Sequence, residues 1–453
     1  MNYLNSRIFL FVSFLLLLSL ATIHAEPPDS SLFLLSHQGC GRATAYSEFS
    51  KIITVGTKTH VAWLDSEQGK FLVRIRTLDR NHSSWSRSYT VGEAYDNHGG
   101  PSLTYDSKGY IHIVYYPHHH PFRYRRSIRP NDASQWTEAK QFGKRCTYPS
   151  IVCLPDDTLL LSCRESTSKK WLLNLYRKEP NKDWQGPVSL FHGNTPSGYC
   201  RWQAALALGL DGKTVHMSFM IYEGSPKGIG YAVCYLQSPD GGITWQKSDG
   251  TPISLPATPD TVEIVVGATK PLGPANYRPG NIAIDPEGNP WQIYSRQDIH
   301  PMETWIVRSD GKGRWRKTAL LPMVQAKWPD RGVKTPGCIC FDQKGNLYAA
   351  VTTIKNRDQT GPNTTTWWGH PSAEVALFVS RDQGNSFQIY GVSKADPTTP
   401  NWLPNLEHTT RNQPLDYPSL IYTHGQRGKN NQEIMSNIVF WCDITSLLQS
   451  ETK

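Results

Sequence analysis

The chain has 453 residues and a formal net charge of +9, from 47 lysines and arginines against 38 aspartates and glutamates. After the N-terminus no segment approaches the roughly 18 uninterrupted apolar residues of a membrane-spanning helix, which excludes a repeatedly membrane-spanning chain. The positive charge suits a polyanionic partner, although it is also compatible with an ordinary surface.

The N-terminus predicts a secretory signal peptide at residues 1–25. Arg7 supplies a positive charge before the apolar run 8–20, and Ala25 provides the small residue of a cleavage site. A retained membrane anchor is the alternative. We therefore expect a secreted protein, extracellular or periplasmic, with residues 26–453 as one domain that does not contact the membrane.

A strand–turn–strand phrase recurs along this domain. Its clearest copies are His98–Tyr115 and Tyr148–Arg164, and a degenerate first copy covers Lys51–Leu78. Further copies begin near four other positions: Tyr199, Tyr277, Thr335 and, in a shorter form, Tyr417. Seven such repeats predict an all-β fold, a seven-bladed β-propeller of four-stranded antiparallel blades. Residues at the ends of the phrases would then meet at one mouth of the central channel. Residues 356–373 are expected to form a long loop on that face.

A second repeated segment resembles the Asp-box (BNR) hairpin. Ser238–Trp245 and Ser380–Phe387 match it, and Ser309–Trp315 is a looser copy. The Asp and Ser side chains of such a hairpin bond to the backbone of their own turn. We expect these hairpins to be structural and to lie between outer strands, away from the functional site.

Nine cysteines are an odd number, and several lie within strand patterns, such as Cys153, Cys163 and Cys340. Buried free thiols or metal ligands explain these positions better than a disulfide framework. A pair between Cys40 and another loop cysteine remains open.

The candidate catalytic residues lie at the ends of the phrases. His98 opens the second repeat before two glycines, and three histidines, residues 118–120, follow its second strand between prolines. A histidine there is a candidate base, although solvated loop histidines or metal ligands are alternatives. Tyr148 opens the third repeat and Arg164 ends its second strand, as Arg296 does in the fifth repeat. An arginine fork at a channel mouth suits a carboxylate, whereas a salt bridge to Glu165 is the plainer interpretation of Arg164.

These residue types suit β-elimination of a uronate-containing polysaccharide. The reaction needs a cation on the carboxylate, a base for the C5 proton and an acid for the O4 leaving group.

The chain resembles the secreted BNR-repeat ulvan lyases in the segment 97–101, the histidine cluster, and the sixteen-residue spacing from Tyr148 to Arg164. The resemblance implies cleavage between 3-sulfated rhamnose and glucuronic or iduronic acid, which leaves a 4,5-unsaturated uronate. The residue roles that it implies are a catalytic pair, His98 and His118, with His119 as the alternative to His118, a catalytic tyrosine, Tyr148, a carboxylate-neutralising arginine, Arg164, and a further site tyrosine, Tyr199. We expect His119, Tyr199, Arg201 and Arg296 to bind the substrate, the two arginines through its sulfates.

The resemblance requires no cofactor for catalysis but allows a structural zinc. His216 and Cys234 are two candidate ligands, with Cys338 and His408 to complete a tetrahedron, and Cys340 as an alternative. Ordinary buried cysteine and histidine explain the same residues. The expected partner is sulfated, uronate-containing ulvan and not nucleic acid, and the expected state is a monomer.

Two other functions remain open. A sialidase-like hydrolase shares Asp-boxes, and Arg164, Arg201 and Arg296 imitate its arginine trio, but the Arg-Ile-Pro signature near the start is absent. A non-catalytic propeller that binds anionic glycans would show affinity without turnover.

Overall fold

The computed structural model describes residues 31–168, 170–194, 199–224, 229–273, 276–356, 369–413 and 415–450. The predicted signal peptide and most of the predicted loop 356–373 lie outside the described residues. None of the helices within these ranges has the length and apolar character needed to cross a membrane.

Almost all of the regular secondary structure in the described part of the chain consists of short strands. Those of its first half are β1 (Leu32–Gly39), β2 (Ile52–Val55), β3 (Lys58–Glu67), β4 (Lys70–Asp79), β5 (Ser84–Trp85), β6 (Tyr89–Ala94), β7 (Ser102–Tyr105), β8 (Ile111–Tyr115), β9 (His120–Arg129), β10 (Asp132–Trp136), β11 (Lys140–Cys153), β12 (Leu159–Ser166), β13 (Trp171–Lys178) and β14 (Gln185–His192). The second half contains β15 (Ala204–Leu208), β16 (Val215–Glu223), β17 (Ile229–Ser238), β18 (Trp245–Gln246), β19 (Pro252–Ile253), β20 (Glu263–Gly267), β21 (Tyr277–Ile284), β22 (Pro290–Arg296), β23 (Glu303–Ser309), β24 (Trp315–Ala319), α1 (Leu321–Lys327), β25 (Arg331–Phe341), β26 (Leu347–Lys355), β27 (Glu374–Ser380), β28 (Gln388–Gly391), β29 (Asn401–Leu406), β30 (Leu420–His424), β31 (Asn437–Cys442) and α2 (Ile444–Ser450).

Pairing among the described strands gives five hydrogen-bonded sheets, which we divide in chain order into seven antiparallel groups. They are blade 1 (β2, β3, β4, β6), blade 2 (β7 to β10), blade 3 (β11 to β14), blade 4 (β15, β16, β17, β20), blade 5 (β21 to β24), blade 6 (β25 to β28) and blade 7 (β29, β30, β31, β1). The N-terminal strand β1 pairs with β31, the last strand of the chain, and so closes the ring of blades. The prediction of an all-β propeller with antiparallel blades is confirmed.

Chain direction defines two ends of the channel. In blade 2, β7 runs away from His98 to a turn at residues 106–109, and β8 returns to Tyr115. The starts of first strands and the ends of second strands therefore share one end, which we call the mouth. The Asp-box turns follow the third strands and lie at the opposite end, where Asp240 and Asp382 accept hydrogen bonds from their own turns. The prediction that they lie away from the mouth is confirmed.

The last repeat differs from its prediction. Its phrase was expected to begin near Tyr417, but the first strand of blade 7 is β29, which pairs with β30 across an interval at residues 407–419. That interval separates two strands that other blades join by a short turn, so the sequence pattern reveals only the second strand.

Apolar side chains fill the spaces between neighbouring blades. Trp63 and Ile75 of blade 1 share one buried cluster with Leu103 and Ile113 of blade 2. Burial of each such side chain stabilises the fold by about 1.5–3 kcal/mol. All nine cysteines are buried free thiols, as expected for small apolar residues, and Cys40 has no disulfide partner.

Candidate active site

A β-bulge places Tyr148 at the mouth. Thr147 of β11 pairs with Arg164 of β12, and the register shifts before the next pair, Ser150 with Ser162. Tyr148 lies in that shift with a φ of 63°, in the left-handed region that a bulky residue rarely adopts. Bulges re-aim side chains, and this one turns the Tyr148 ring towards the channel beside Arg164. The predicted tyrosine–arginine pair is therefore brought together.

Arg164 is fully buried and holds its guanidinium in a polar and aromatic nest. One nitrogen donates to the Tyr199 hydroxyl at 2.9 Å, and the other donates to Thr147 Oγ1 at 3.2 Å. The guanidinium carbon lies 4.7 Å from the Tyr148 ring centroid and 4.8 Å from that of Trp171. The nearest carboxylate in sequence, Glu165, instead accepts from Asn174 and Tyr176, so the salt-bridge interpretation of Arg164 is wrong. Arg164 is free to meet an acidic ligand once its covering groups move.

Two neighbouring tyrosines, Tyr148 and Tyr199, adjoin this arginine, and their hydroxyls differ in how easily they ionise. Burial raises the pKa of Tyr148 well above its ordinary value. Tyr199 is 38% exposed; partial burial opposes its ionisation, but Arg164 and Arg201 outweigh that effect and lower its pKa. The site therefore contains a buried phenol that stays protonated beside a more accessible one that ionises more easily.

The predicted histidine pair is also brought together. The rings of His98 and His118 stack with centroids 3.9 Å apart. Both rings bond to one carboxylate, that of Asp96, at 3.2 Å from His98 Nδ1 and 2.7 Å from His118 Nδ1. The Arg42 guanidinium contacts the other ring nitrogen of His98 and donates to Tyr46 at 2.8 Å. Burial and Arg42 lower the pKa of His98 to about 3.

His119 links the histidines to the arginine. Its ring centroid lies 4.6 Å from that of His118, and its Nε2 lies 3.4 Å from an Arg164 nitrogen. Burial and the Arg164 charge lower the pKa of His119 to about 4. His119 also packs edge-on against Trp171, which in turn contacts Tyr199. The four predicted catalytic residues thus belong to one connected network.

The two predicted substrate-binding arginines, Arg201 and Arg296, lie in different surroundings. The Arg201 guanidinium lies 5.0 Å from the Tyr222 ring, and Arg278 covers the same ring at 4.6 Å. Arg201 also acts electrostatically on Tyr148 and Tyr199, which places it near both of these tyrosines. Arg296, by contrast, forms an ion pair with Asp298 at 2.9 Å in blade 5. The arginine trio that a sialidase-like site would need is therefore not supported by the contacts of Arg296.

An aromatic rim flanks the histidines on the side of blade 1. Tyr95 is 41% exposed, and its ring lies 4.0 Å from that of His120. Arg123 lies 3.8 Å from the Tyr116 ring. We call these four residues the rim. They offer an exposed ring face and a cation within a few residues of His118.

The predicted zinc ligands are not assembled into one site. His216 bonds to Tyr235 at 2.6 Å, while Cys234 is the neighbour of Tyr235 in β17 and so points to the opposite face of the sheet. Cys338 lies in blade 6 and His408 follows the first strand of blade 7. The prediction that these four residues are the ligands of one zinc ion is therefore corrected: they are ordinary buried or half-buried side chains in separate places.

Within the described ranges, the histidine, cysteine and carboxylate side chains close enough to share a metal ion are those of Asp96, His98 and His118, whose ligand atoms lie within 4.8 Å of one another. The Arg42 guanidinium beside His98 opposes a cation there. A hydrogen-bonded network explains the cluster better.

Sequence reasoning missed several residues of the network: Arg42, Tyr46, Asp96, Thr147 and Trp171. Asp96 lies two residues before His98, and this Asp-x-His spacing was a usable signal. Arg42 and Tyr46 precede the first repeat, in the segment that follows the ring-closing strand β1, so their place at the mouth cannot be inferred from the repeat phase.

Comparison with known proteins places the chain in a family. A family model described as BNR repeat-containing family member matches residues 58–323. An ulvan lyase of Alteromonas sp. (strain LOR) is 21% identical over 416 residues, which cover 77% of this chain and 84% of that protein. The PL25 ulvan lyase of Pseudoalteromonas sp. (strain PLSV) is 27% identical over 140 residues, which cover 27% of this chain and only 26% of that protein.

Solved structures agree with the fold. A polysaccharide lyase PL25, an ulvan lyase bound to GlcA(1-4)Rha3S, superposes with a TM-score of 0.68 at 16% identity, covering 92% of this chain and 98% of that one. The polysaccharide lyase Uly1 superposes with a TM-score of 0.55 at 12% identity, covering 91% of this chain and 97% of the other. At these identities, the likeness establishes a shared fold.

Proposed function

Because the chain belongs to the BNR repeat-containing family, we propose that it is a polysaccharide lyase that cleaves ulvan by β-elimination. The observation that carries this proposal is the connected network of Arg164, Tyr148 and His118 at one mouth, which contains a cation, a phenol and an imidazole. Its relatives in Alteromonas and Pseudoalteromonas are ulvan lyases. The cleaved bond is the one from 3-sulfated rhamnose to the uronic acid.

The reaction needs three groups acting together. A guanidinium on the uronate carboxylate stabilises the charge that develops when the C5 proton leaves. A histidine of the His98–His118 pair takes that proton, and the electron pair forms the double bond between C4 and C5. The bond from C4 to O4 breaks, and Tyr148 gives its proton to O4. A tyrosine whose pKa burial has raised remains protonated and fits the role of the acid.

Access to Arg164 requires a local exchange of partners. The Arg164 side chain is fully buried, with the Tyr199 hydroxyl on one of its nitrogens. A carboxylate is a stronger acceptor than a phenol for a guanidinium. We therefore assign to Tyr199 the role of a cover that a substrate carboxylate displaces. Arg201 and His119 line the same region and serve as substrate-binding residues.

The charge of the protein suits this substrate. The formal net charge of +9, or +8 once Arg7 is removed with the predicted signal peptide, attracts a sulfated and carboxylated polymer over long range. Secretion to the extracellular space or periplasm, action as a monomer, and the absence of nucleic-acid and membrane partners belong to the same proposal. Arg164, the histidines and Tyr148 supply all three roles of the elimination, so we propose that catalysis needs no metal or other cofactor.

A direct test is ultraviolet absorbance while the purified protein acts on ulvan, because elimination creates an unsaturated uronate that hydrolysis does not. Heparan sulfate and chondroitin sulfate are the comparison substrates, and a sample treated with a chelator tests the independence from metal. A rise with ulvan alone supports the proposal. Binding to ulvan without a rise would favour a glycan-binding propeller, and release of free sialic acid from a sialoglycan would favour the hydrolase.

A further inference from the structure

The Asp96 carboxylate lies between the two predicted catalytic histidines. Its Oδ1 accepts from the His98 backbone N–H at 2.7 Å and lies 3.2 Å from His98 Nδ1. Its Oδ2 lies 2.7 Å from His118 Nδ1. Asp96 is only 2% exposed, so these contacts occur in a region of low dielectric where they are strong. Asp96 therefore holds both rings.

The contacts of His98 define which of its nitrogens carries the proton. A guanidinium has N–H donors and no acceptor, so the Arg42 nitrogen against His98 Nε2 must donate to it. The lone pair of Nε2 is thereby occupied. The proton of neutral His98 lies on Nδ1, which donates to Asp96. A second proton on Nε2 would face the Arg42 charge, which makes His98 a poor proton acceptor.

The contacts of His118, unlike those of His98, leave a ring nitrogen able to accept a proton. An ionised carboxylate only accepts, so His118 Nδ1 carries a proton and donates it to Asp96. The two histidine hydrogen bonds outweigh the burial of Asp96 and hold its pKa well below the ordinary value. His118 Nε2 is left with its lone pair and, among the described residues, no hydrogen-bond partner. The His118 side chain is 18% exposed, against 8% for that of His98.

We propose that Asp96 and Arg42 are positioning residues that make His118 Nε2, and not His98, the proton acceptor of the elimination. This inference rests on the proposed function. Asp96 orients the His118 ring, fixes its tautomer and stabilises the imidazolium that forms when the C5 proton arrives. Arg42 keeps His98 neutral, so that His98 serves as a hydrogen-bond donor to Asp96 and as a stacking surface for His118.

The first test separates the two histidines. His118→Gln and His98→Gln are compared for turnover of ulvan, with the melting temperature as a check on folding. We expect His118→Gln to lower kcat by roughly 10²–10⁴-fold, the usual contribution of a general base, and His98→Gln to lower it at least tenfold less. An equal loss in both variants, or a larger loss in His98→Gln, would overturn the assignment.

The second test concerns Asp96. Asp96→Asn keeps the shape of the side chain but offers an N–H to one histidine, which forces the wrong tautomer. We expect kcat to fall by roughly 10²–10⁴-fold with little change in KM, and Asp96→Glu to restore part of the loss. Nitrogen NMR of isotope-labelled histidines reads the tautomers without turnover: both His98 and His118 should carry the proton on Nδ1 in the wild type, and at least one should change in Asp96→Asn.

The outcomes distinguish the two proposals. If the wild type releases unsaturated uronate but Asp96→Asn keeps its kcat, or if the wild-type His118 proton lies on Nε2, the inference fails and the lyase proposal stands. If the wild type does not act on ulvan, the lyase proposal fails, and the role of His118 as base fails with it even when the tautomers are as stated.

Discussion

The hydroxyl of Tyr199 accepts a hydrogen bond from Arg164 at 2.9 Å, and this contact covers a guanidinium that is otherwise enclosed by protein. The proposed function implies that the Tyr199 phenol and a substrate carboxylate compete for the same Arg164 nitrogen. Tyr199 is 38% exposed, whereas Arg164 is fully buried, so of the two side chains Tyr199 is the one that faces solvent. Under the proposed function, binding of a uronate and opening of the Arg164 nest are one event.

Replacing Arg164 by lysine keeps the positive charge and removes the planar guanidinium, which can bond a carboxylate through two nitrogens. We expect kcat/KM on ulvan to fall by about 10²–10³-fold, because one lost donor at a site of developing charge has an effect of this size. Arg296→Lys is the matched control, since Arg296 pairs with Asp298 and not with the network, and it should stay within a few-fold of wild type. An unchanged kcat/KM in Arg164→Lys would remove Arg164 from the mechanism.

Replacing Tyr148 by phenylalanine removes one hydroxyl from a buried ring. The variant should bind ulvan with an affinity close to wild type and lose roughly 10²–10⁴-fold in kcat, because the leaving oxygen no longer receives a proton. Binding is measured by calorimetry and turnover by ultraviolet absorbance. Tyr110→Phe, at the opposite end of the channel, controls for the loss of a hydroxyl. Turnover at the wild-type rate in Tyr148→Phe would assign the acid to another residue.

The sequence was sufficient to predict the site residues that lie at or near the ends of the repeated phrases. His98, His118, Tyr148 and Arg164 lie at phrase ends, and equivalent ends of propeller blades meet at one mouth. The bulge that turns Tyr148 was not predictable, because a register shift depends on the partner strand and not on local sequence.

Partners of a site residue that come from non-repeating segments were missed. Arg42 reaches His98 only because β1 joins the C-terminal strands and carries the following segment into the channel. The zinc grouping failed for a related reason: His216 and Cys234 are on adjacent strands, but alternation directs their side chains to opposite faces.

His60 links stability to pH. It is fully buried, with its ring nitrogens bonded to Thr77 and Asn131, and burial lowers its pKa to about 4 from an ordinary value of 6.5. Between these values the unfolded chain binds a proton that the folded chain does not, so the free energy of unfolding falls as pH drops from 6.5 towards 4.

His60→Gln should flatten the slope of that dependence by up to about 1.4 kcal/mol per pH unit. Urea unfolding at several pH values in this window measures the slope. Parallel pH dependences for wild type and His60→Gln would show that His60 does not contribute.

The burial of the cysteines predicts how fast they react with a thiol reagent. All nine are buried, and burial raises the pKa of several of them, including Cys153, Cys200 and Cys338, to about 12. Thiolates are the reactive form, so the native protein should react slowly with a thiol reagent. In denaturant without reductant all nine thiols should react at once. A count of seven would reveal a disulfide, and a reductant would then lower the melting temperature.

We expect one residue of the rim, Tyr95, to contribute to the binding of the polymer and not to the chemical step. Tyr95 presents an exposed ring, tilted against that of His120 at a centroid distance of 4.0 Å, and we expect it to contact sugar units beyond the cleaved bond. Aromatic faces bury the apolar side of a pyranose, so Tyr95→Ala should raise KM for the polymer several-fold and leave kcat within about twofold. Ile243→Ala, an exposed apolar residue in an Asp-box turn at the opposite end, should change neither constant. A fall in kcat with constant KM would place Tyr95 in the chemistry of the site, because only interactions confined to the transition state change kcat alone.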